Sequence, residues 1–258
     1  MQKPKRIVIA GPIGVGKTYA CDIVEKETKY KEKGIIVFKE DPDGKNLIKQ
    51  YNKGISWIEL WLIAMVTPLP VILFISPMHP WSFIFMIFGV LSFWILISKK
   101  FANKQMRRNF RTQMGFFAGR LRTEIQSVQK SEARVVLYDR DIHEDHLFES
   151  TLSHFGGINK SDHLTYTALN QAVMMFIPEP DAIFYLKKTP AECLEGVRVR
   201  VAQRRARGES TQGEEGITLE YLTHLCWEYD EWAGMQKNVK IFTNTNDLMD
   251  EINKSLVL

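Results

Sequence analysis

Five short apolar runs punctuate the chain: Arg6–Ala10, Ile35–Phe38, Val135–Tyr138, Ala182–Leu186 and Lys240–Phe242. Their length and β-branched content predict strands buried on both faces. Between them, apolar positions recur with helical spacing over Tyr19–Glu27, Asn103–Gln129, Leu164–Phe176, Pro190–Arg207, Leu219–Met235 and Asp247–Leu256. This alternation predicts an α/β fold, a five-stranded parallel sheet with helices on both faces. Ligands of such sheets gather at the carboxyl ends of the strands. The residues to read are therefore those from Gly11 onward, Glu40 and Asp41, and Asp139 and Arg140.

One stretch breaks the alternation. From Ile55 to Ser98 the only charged residue is Glu59. Two apolar runs, Ile55–Ile75 and Ser82–Ser98, flank a proline-bearing turn. As helices they would measure about 31 Å and about 25 Å, close to the thickness of a bilayer core. Lys49 and Lys53 precede them; Lys99, Lys100, Lys104, Arg107 and Arg108 follow. That charge pattern places both flanks on the cytoplasmic side. The expectation is a two-helix transmembrane hairpin over 55–100, inserted into a discontinuous domain of 1–54 and 101–258. It gives two spans, a lipid bilayer as partner, and cytoplasmic termini. The alternatives are a re-entrant hairpin turning at Pro68 and Pro70, or a hairpin buried between the subunits of a soluble homodimer.

The remaining composition adds little. A net charge of +4 over 258 residues is too mild to argue for nucleic acid. The three cysteines, Cys21, Cys193 and Cys226, stand far apart in sequence and suggest no metal-type or redox-type pair. The N-terminus enters the first strand almost at once and shows no signal peptide.

The strongest chemical signal follows the first strand. Gly11-Pro12-Ile13-Gly14-Val15-Gly16-Lys17-Thr18 fits G-x-x-x-x-G-K-T, between a strand and a helix. Such a loop turns backbone N–H groups onto phosphate oxygens at a helix N-terminus. Lys17 would reach the β- and γ-phosphates and Thr18 would hold Mg²⁺, which implies a nucleoside triphosphate such as ATP. After the third strand, Asp139 is placed to bind Mg²⁺ and Arg140 to neutralise a moving phosphoryl group. His143-Glu144-Asp145-His146 has the residue types of a metal site, but no further ligand set accompanies it. Five arginines between Arg198 and Arg207, followed by the acidic GESTQGEEG, predict a mobile lid, the alternative being a solvated basic helix face or nonspecific anion binding.

These pieces carry a resemblance. GPIGVGKT, KEDPDGKNLIKQY, FRTQMGFFAGRL, YDRDIHEDHLF and the long segment from DAIFYLKKTP to EEGITLEYLTHLCWEYDEW occur in the order seen in P-loop deoxynucleoside kinases. That family includes the animal deoxycytidine, deoxyguanosine and mitochondrial thymidine kinases and their bacterial relatives. The resemblance implies ATP-dependent phosphorylation of a nucleoside 5′-hydroxyl. It implies Glu40 or Asp41 as general base, Tyr51 at the sugar 3′-hydroxyl, Gln113 at the base edge and Asp145 as its helper. It also implies Arg205 and Arg207 as lid arginines and Glu214 or Glu215 at the sugar. Asp141 stands where the family often has Ser, and the hydrophobic insert is not a general feature of it.

Other readings share some of these residues. A nucleoside monophosphate kinase would need extra cations near Arg111, Arg120 or Arg122. A lipid-alcohol kinase is suggested by the hairpin alone. A nucleotide-sensing membrane protein without catalysis draws on the Glu40/Asp41 shift and on Asp141. A GTPase draws on Asp41–Gly44 and Asn159–Asp162, which fit D-x-x-G and N-K-x-D, although no apolar strand precedes the second.

Overall fold

The computed structural model describes residues 3–27, 30, 32–39, 80–129, 133–211 and 213–255. In chain order these form β1 (Lys5–Ala10), α1 (Lys17–Lys26), β2 (Ile35–Phe38), α2 (Pro80–Gln129) and β3 (Val135–Asp139). A single 3-10 turn (Ile142–Glu144) leads into α3 (Asp145–His154) and α4 (Lys160–Met174). Then come β4 (Ala182–Leu186), α5 (Pro190–Ala206), α6 (Leu219–Met235), β5 (Val239–Phe242) and α7 (Thr245–Ser255). The strands form one parallel sheet in the order β2-β3-β1-β4-β5. All five strands stand where the apolar runs predict them. Ile7, Val8, Ile9 and Ala10 of the central β1 are buried, as are Val136, Leu137 and Tyr138 of β3 and Ile183, Phe184, Tyr185 and Leu186 of β4.

Local chemistry fixes the helix starts. Thr189 and Glu192 form a reciprocal capping box around Pro190 at the head of α5. Thr218 caps α6 through the Tyr221 N–H. Asn159 caps α4, its side chain accepting the Asp162 N–H at 2.9 Å. The N-K-x-D pattern is thus a helix cap, with both of its polar ends bonded to each other.

The apolar stretch differs from expectation. Ser82–Ser98 is not an arm that ends before a separate helix over Asn103–Gln129. Both belong to α2, one unbroken helix of 50 residues, about 75 Å long. No proline or glycine stands between Leu91 and Met114 to stop it, and Lys99–Arg108 is rich in helix-forming residues. α2 continues through the flanking lysines. Its later turns are fixed in the body by buried Asn109, Gln113, Arg120 and Glu124. Among the described residues no helix is long and apolar enough to cross a membrane. That finding overturns the expected two-span membrane location. The first run, Ile55–Ile75, lies outside the described residues.

At the far end of the sheet from the phosphate loop, Arg6 of β1 donates to Glu124 of α2 at 2.5 Å. The guanidinium also donates to the Pro178 carbonyl and lies 5.5 Å from the centre of the Tyr138 ring. Both partners of the ion pair are buried, so α2 is tied to the central strand by paired charge.

Two cysteines that look unrelated in sequence meet in space. The Sγ atoms of Cys193 on α5 and Cys226 on α6 are 4.0 Å apart, and both thiols face the Lys188 carbonyl. The α5–α6 packing brings together residues that the sequence separates, and both remain free thiols.

The same face of α5 supports the phosphate loop. A Cβ on Gly196 would lie 2.0 Å from the Gly14 carbonyl oxygen, and one on Gly14 would lie 2.1 Å from the Cys193 carbonyl oxygen. Backbone meets backbone there, with no room for a side chain. Gly196→Ala should therefore push α5 from the loop. The expected loss is about 1–3 kcal/mol of stability, the usual range for overpacking, together with weaker nucleotide binding. Thermal melting with and without ATP checks it; an unchanged melting curve and affinity would show that the loop yields freely.

Candidate functional site

The phosphate loop leaves β1 at Gly11 and enters α1 at Lys17. Gly16 takes a left-handed conformation, φ 103°, as the N-cap of α1 and supplies no side-chain cap. The first amides of α1 therefore remain directed toward the loop, as anion binding at a helix N-terminus requires. The Lys17 amine curls back onto the carbonyl of Gly11 and that of Pro12, the latter at 2.8 Å. It is the cation at the centre of the loop.

Thr18 and Asp139 meet directly. The Thr18 hydroxyl donates to Asp139 Oδ2 at 2.7 Å. A hydroxyl and a carboxylate side by side at the phosphate loop make a hard-oxygen pair that suits Mg²⁺. Both residues expected to hold the metal are thus together.

Arg140 follows Asp139 with φ 66°, and among the described residues it is the only non-glycine with positive φ. Non-glycine residues avoid this region, and such outliers cluster where a side chain must be aimed. Here the turn aims the Arg140 guanidinium over the face of Phe148, 4.6 Å from the ring centre. Asp141 stabilises the turn as the N-cap of the 3-10 segment, accepting the His143 N–H at 2.9 Å. Ser and Asp are both favoured caps, so Asp141 performs here the local task open to a serine. Its other oxygen meets His143 Nδ1 at 2.8 Å. Burial opposes protonation of that imidazole, but Asp141 outweighs it with help from Glu124 and Glu179, and the pKa of His143 is raised.

A second polar cluster lies deeper, between α2, α3 and α4. Asp145 is completely buried. It pairs with Arg120, accepts from Gln113 Nε2 at 3.1 Å and accepts from the Tyr166 hydroxyl. Gln113 and Arg120 lie two helical turns apart on one face of α2. Phe148 lies between the clusters, with Arg120 at 5.7 Å and Arg140 at 4.6 Å from its centre. Phe148 and Tyr166 escape the sequence reading, and Arg120 enters it only as an extra cation, because their partners are remote in the chain. The buried ion pair with Asp145 also removes Arg120 as an extra cation for a second phosphate, while Arg111 and Arg122 are exposed on α2.

One cleft of about 900 Å³ connects these parts. It runs from Gly14, Lys17 and Thr18 past Asp139 and Arg140 to Gln113 and Arg120. Arg200, Arg207 and Glu214 line its outer side. The arginines expected to form a lid are matched by the acids that follow them. Glu214 takes Arg200 at 3.2 Å and Arg204 at 2.8 Å, Arg205 pairs with Glu215 at 3.0 Å, and Arg207 with Glu209 at 2.7 Å. Arg207 and Glu214 thus reach the cleft, whereas Arg205 is directed to Glu215. Glu40, Asp41 and Tyr51 lie outside the described residues. The last described residue before them, Lys39, bonds Asp22 at 2.6 Å and Glu25.

Comparison with known proteins converges on one group. A family model described as deoxynucleoside kinase matches residues 7–256. Deoxycytidine kinase 2 of Gallus gallus is 30% identical over 140 residues, 50% of this chain and 48% of its own. Deoxyadenosine kinase of Dictyostelium discoideum is 32% identical over 101 residues, 39% of this chain and 38% of its own. The chain thus aligns with half or less of the length of these relatives. Among solved structures, deoxyadenosine kinase from M. mycoides with bound dATP superposes with a TM-score of 0.62 at 16% identity. That match covers 98% of this chain and 100% of the other, and it shows a shared fold.

Proposed function

The chain belongs to the deoxynucleoside kinase family, and on that premise we propose that it transfers the γ-phosphoryl group of ATP to the 5′-hydroxyl of a deoxynucleoside. The observation that carries this reading is the single cleft joining the phosphate loop to the Gln113–Arg120–Asp145 cluster. The donor half is cationic and rich in backbone amides. The acceptor half offers a planar amide, held by Asp145, that can present a donor and an acceptor to a nucleobase edge.

In this reading the amides of the phosphate loop and Lys17 hold the phosphates, and Arg140 meets charge developing on the transferred group. Thr18 and Asp139 would hold Mg²⁺, which when bound neutralises phosphate charge. Gln113 orients the acceptor, and the Asp145–Arg120 pair keeps the amide from rotating. Glu40 or Asp41 is the expected acceptor of the 5′-hydroxyl proton. Opening of the Arg–Glu pairs on the lid would free Arg207 to turn toward the phosphates, with Glu214 left for the sugar.

The test uses the full chain with Mg²⁺ and ATP against the four deoxynucleosides and their monophosphates, with product resolved by chromatography. Conversion of at least one deoxynucleoside to its 5′-monophosphate, with no turnover of monophosphates, is expected. Turnover of monophosphates alone would move the assignment to a nucleoside monophosphate kinase. No turnover of any deoxynucleoside would refute the proposal.

A further inference from the structure

Glu144 ends the 3-10 turn directly before α3, and its carboxylate is completely buried. The phosphoryl-transfer scheme gives it no task. A buried carboxylate is unfavourable unless donors meet its lone pairs, and three donors do. Oε1 accepts the Asp141 N–H at 3.3 Å, the amide immediately after the left-handed Arg140. Oε2 accepts the Gly11 N–H at 3.4 Å, where the phosphate loop begins, and also the Tyr229 hydroxyl of α6. Tyr229 is itself held fast: it is buried, stacked on Tyr185 at 5.9 Å and edge-on to Phe148 at 6.1 Å. Phe148 is the ring that carries the Arg140 guanidinium. One carboxylate therefore joins the start of the phosphate loop, the turn that aims Arg140, and the wall of α6.

We infer that Glu144 is a positioning residue for phosphoryl transfer, whose two oxygens fix the spacing between the phosphate loop and the Arg140 turn. The inference rests on the kinase reading of the cleft. Charge matters to it as well as shape. Burial pushes the Glu144 carboxyl toward its neutral form, and Asp141 adds to this. Lys17, Arg140 and the Tyr229 hydrogen bond oppose it. The same two cations that serve the phosphates thus face this buried carboxyl, whose pKa remains raised on balance because burial outweighs them. Glutamine matches the shape but replaces one oxygen by a donor. It can accept from Asp141 or from Gly11 and Tyr229, but it cannot serve all three.

The experiment compares wild type with Glu144→Gln, Glu144→Asp and Asp230→Asn. Melting temperature, ATP affinity by calorimetry, and kcat and KM for ATP and nucleoside are measured for each. Glu144→Gln should lower kcat at least tenfold while the nucleoside KM stays within twofold, because Gln113 and Arg120 are untouched. Glu144→Asp keeps the charge but falls one methylene short, so it should lose kcat similarly. Asp230→Asn weakens the bonds to the Tyr185 hydroxyl and the Lys187 amine without touching either loop. It should keep kcat within twofold, whatever it does to melting. A folded Glu144→Gln with kcat within twofold of wild type overturns the inference, as does an equal loss of kcat in Asp230→Asn. If Glu144→Gln does not fold, Glu144→Asp decides on the same criteria. If wild type turns over no nucleoside, the kinase reading fails on its own. ATP affinity then decides: a tenfold loss in the Glu144 variant supports the spacing role, and unchanged affinity overturns it.

Discussion

Lys17→Met should lower kcat/KM for phosphoryl transfer by about 10²–10³-fold, the usual loss on removing one well-placed group that stabilises transition-state charge. Methionine keeps the unbranched apolar stem and removes only the charge. The stem is buried and the amine sits on the carbonyls of Gly11 and Pro12, inside the loop that would cradle the phosphates. Among the described residues, the other cations of the cleft are already engaged. Arg140 is held over Phe148, and the lid arginines are paired with Glu209, Glu214 and Glu215. A coupled assay of ADP release, run beside a melting curve, separates lost chemistry from lost fold. A well-folded variant that retained more than a tenth of wild-type activity would show that the triphosphate is not handled by this loop.

The largest effect on stability is expected far from that loop. Glu124→Ala should destabilise the fold by about 3–5 kcal/mol, because it strands the Arg6 guanidinium in the interior without its partner. The pair is dry on both sides, with side-chain exposures of 6% and 3%. Burial raises the pKa of Glu124 and the Arg6 charge pulls it back, so the carboxylate depends on its partner to remain an anion. The double replacement Arg6→Met with Glu124→Leu removes both charges and should recover most of the loss, since apolar residues of similar volume often replace a buried pair without penalty. Urea unfolding of the two singles and the double closes the cycle. A Glu124→Ala loss below about 1 kcal/mol would mean that water reaches Arg6. Because Glu124 and Gln113 share α2, the single variant should also raise the nucleoside KM.

The sheet was legible in the sequence because short apolar runs buried on both faces have few other readings. The phosphate loop was legible because its glycines answer backbone needs that are local in sequence. α3 was not. Glu149 and Thr151 are buried on it, which looks polar until Glu149 meets His163 of α4 at 2.9 Å and Thr151 donates to its own helix at Leu147. The family resemblance puts Asp145 and Gln113 at the acceptor, and they are bonded to each other. Arg120 read as a spare cation because its carboxylate partner lies in another element. The Cys193–Cys226 contact was hidden for the same reason, since it arises only from the packing of α5 on α6. Ser82–Ser98 misled because apolarity alone does not say where a helix ends. The polar residues after it continue α2 without a break.

The strand order has a consequence for how the chain is made. β1 is central, flanked by β3 and β4, and its Arg6 amide is bonded to Asp181, 175 residues later. At synthesis rates of about 5–20 residues per second, roughly 9–35 s separate the emergence of those partners from the ribosome. Until then the first strand lacks a neighbour on that side, and Gly14 lacks the α5 backbone it rests on. The nucleotide loop is therefore among the first parts translated and among the last completed, so a nascent chain cut short before α5 should retain the whole motif and still fail to hold a triphosphate.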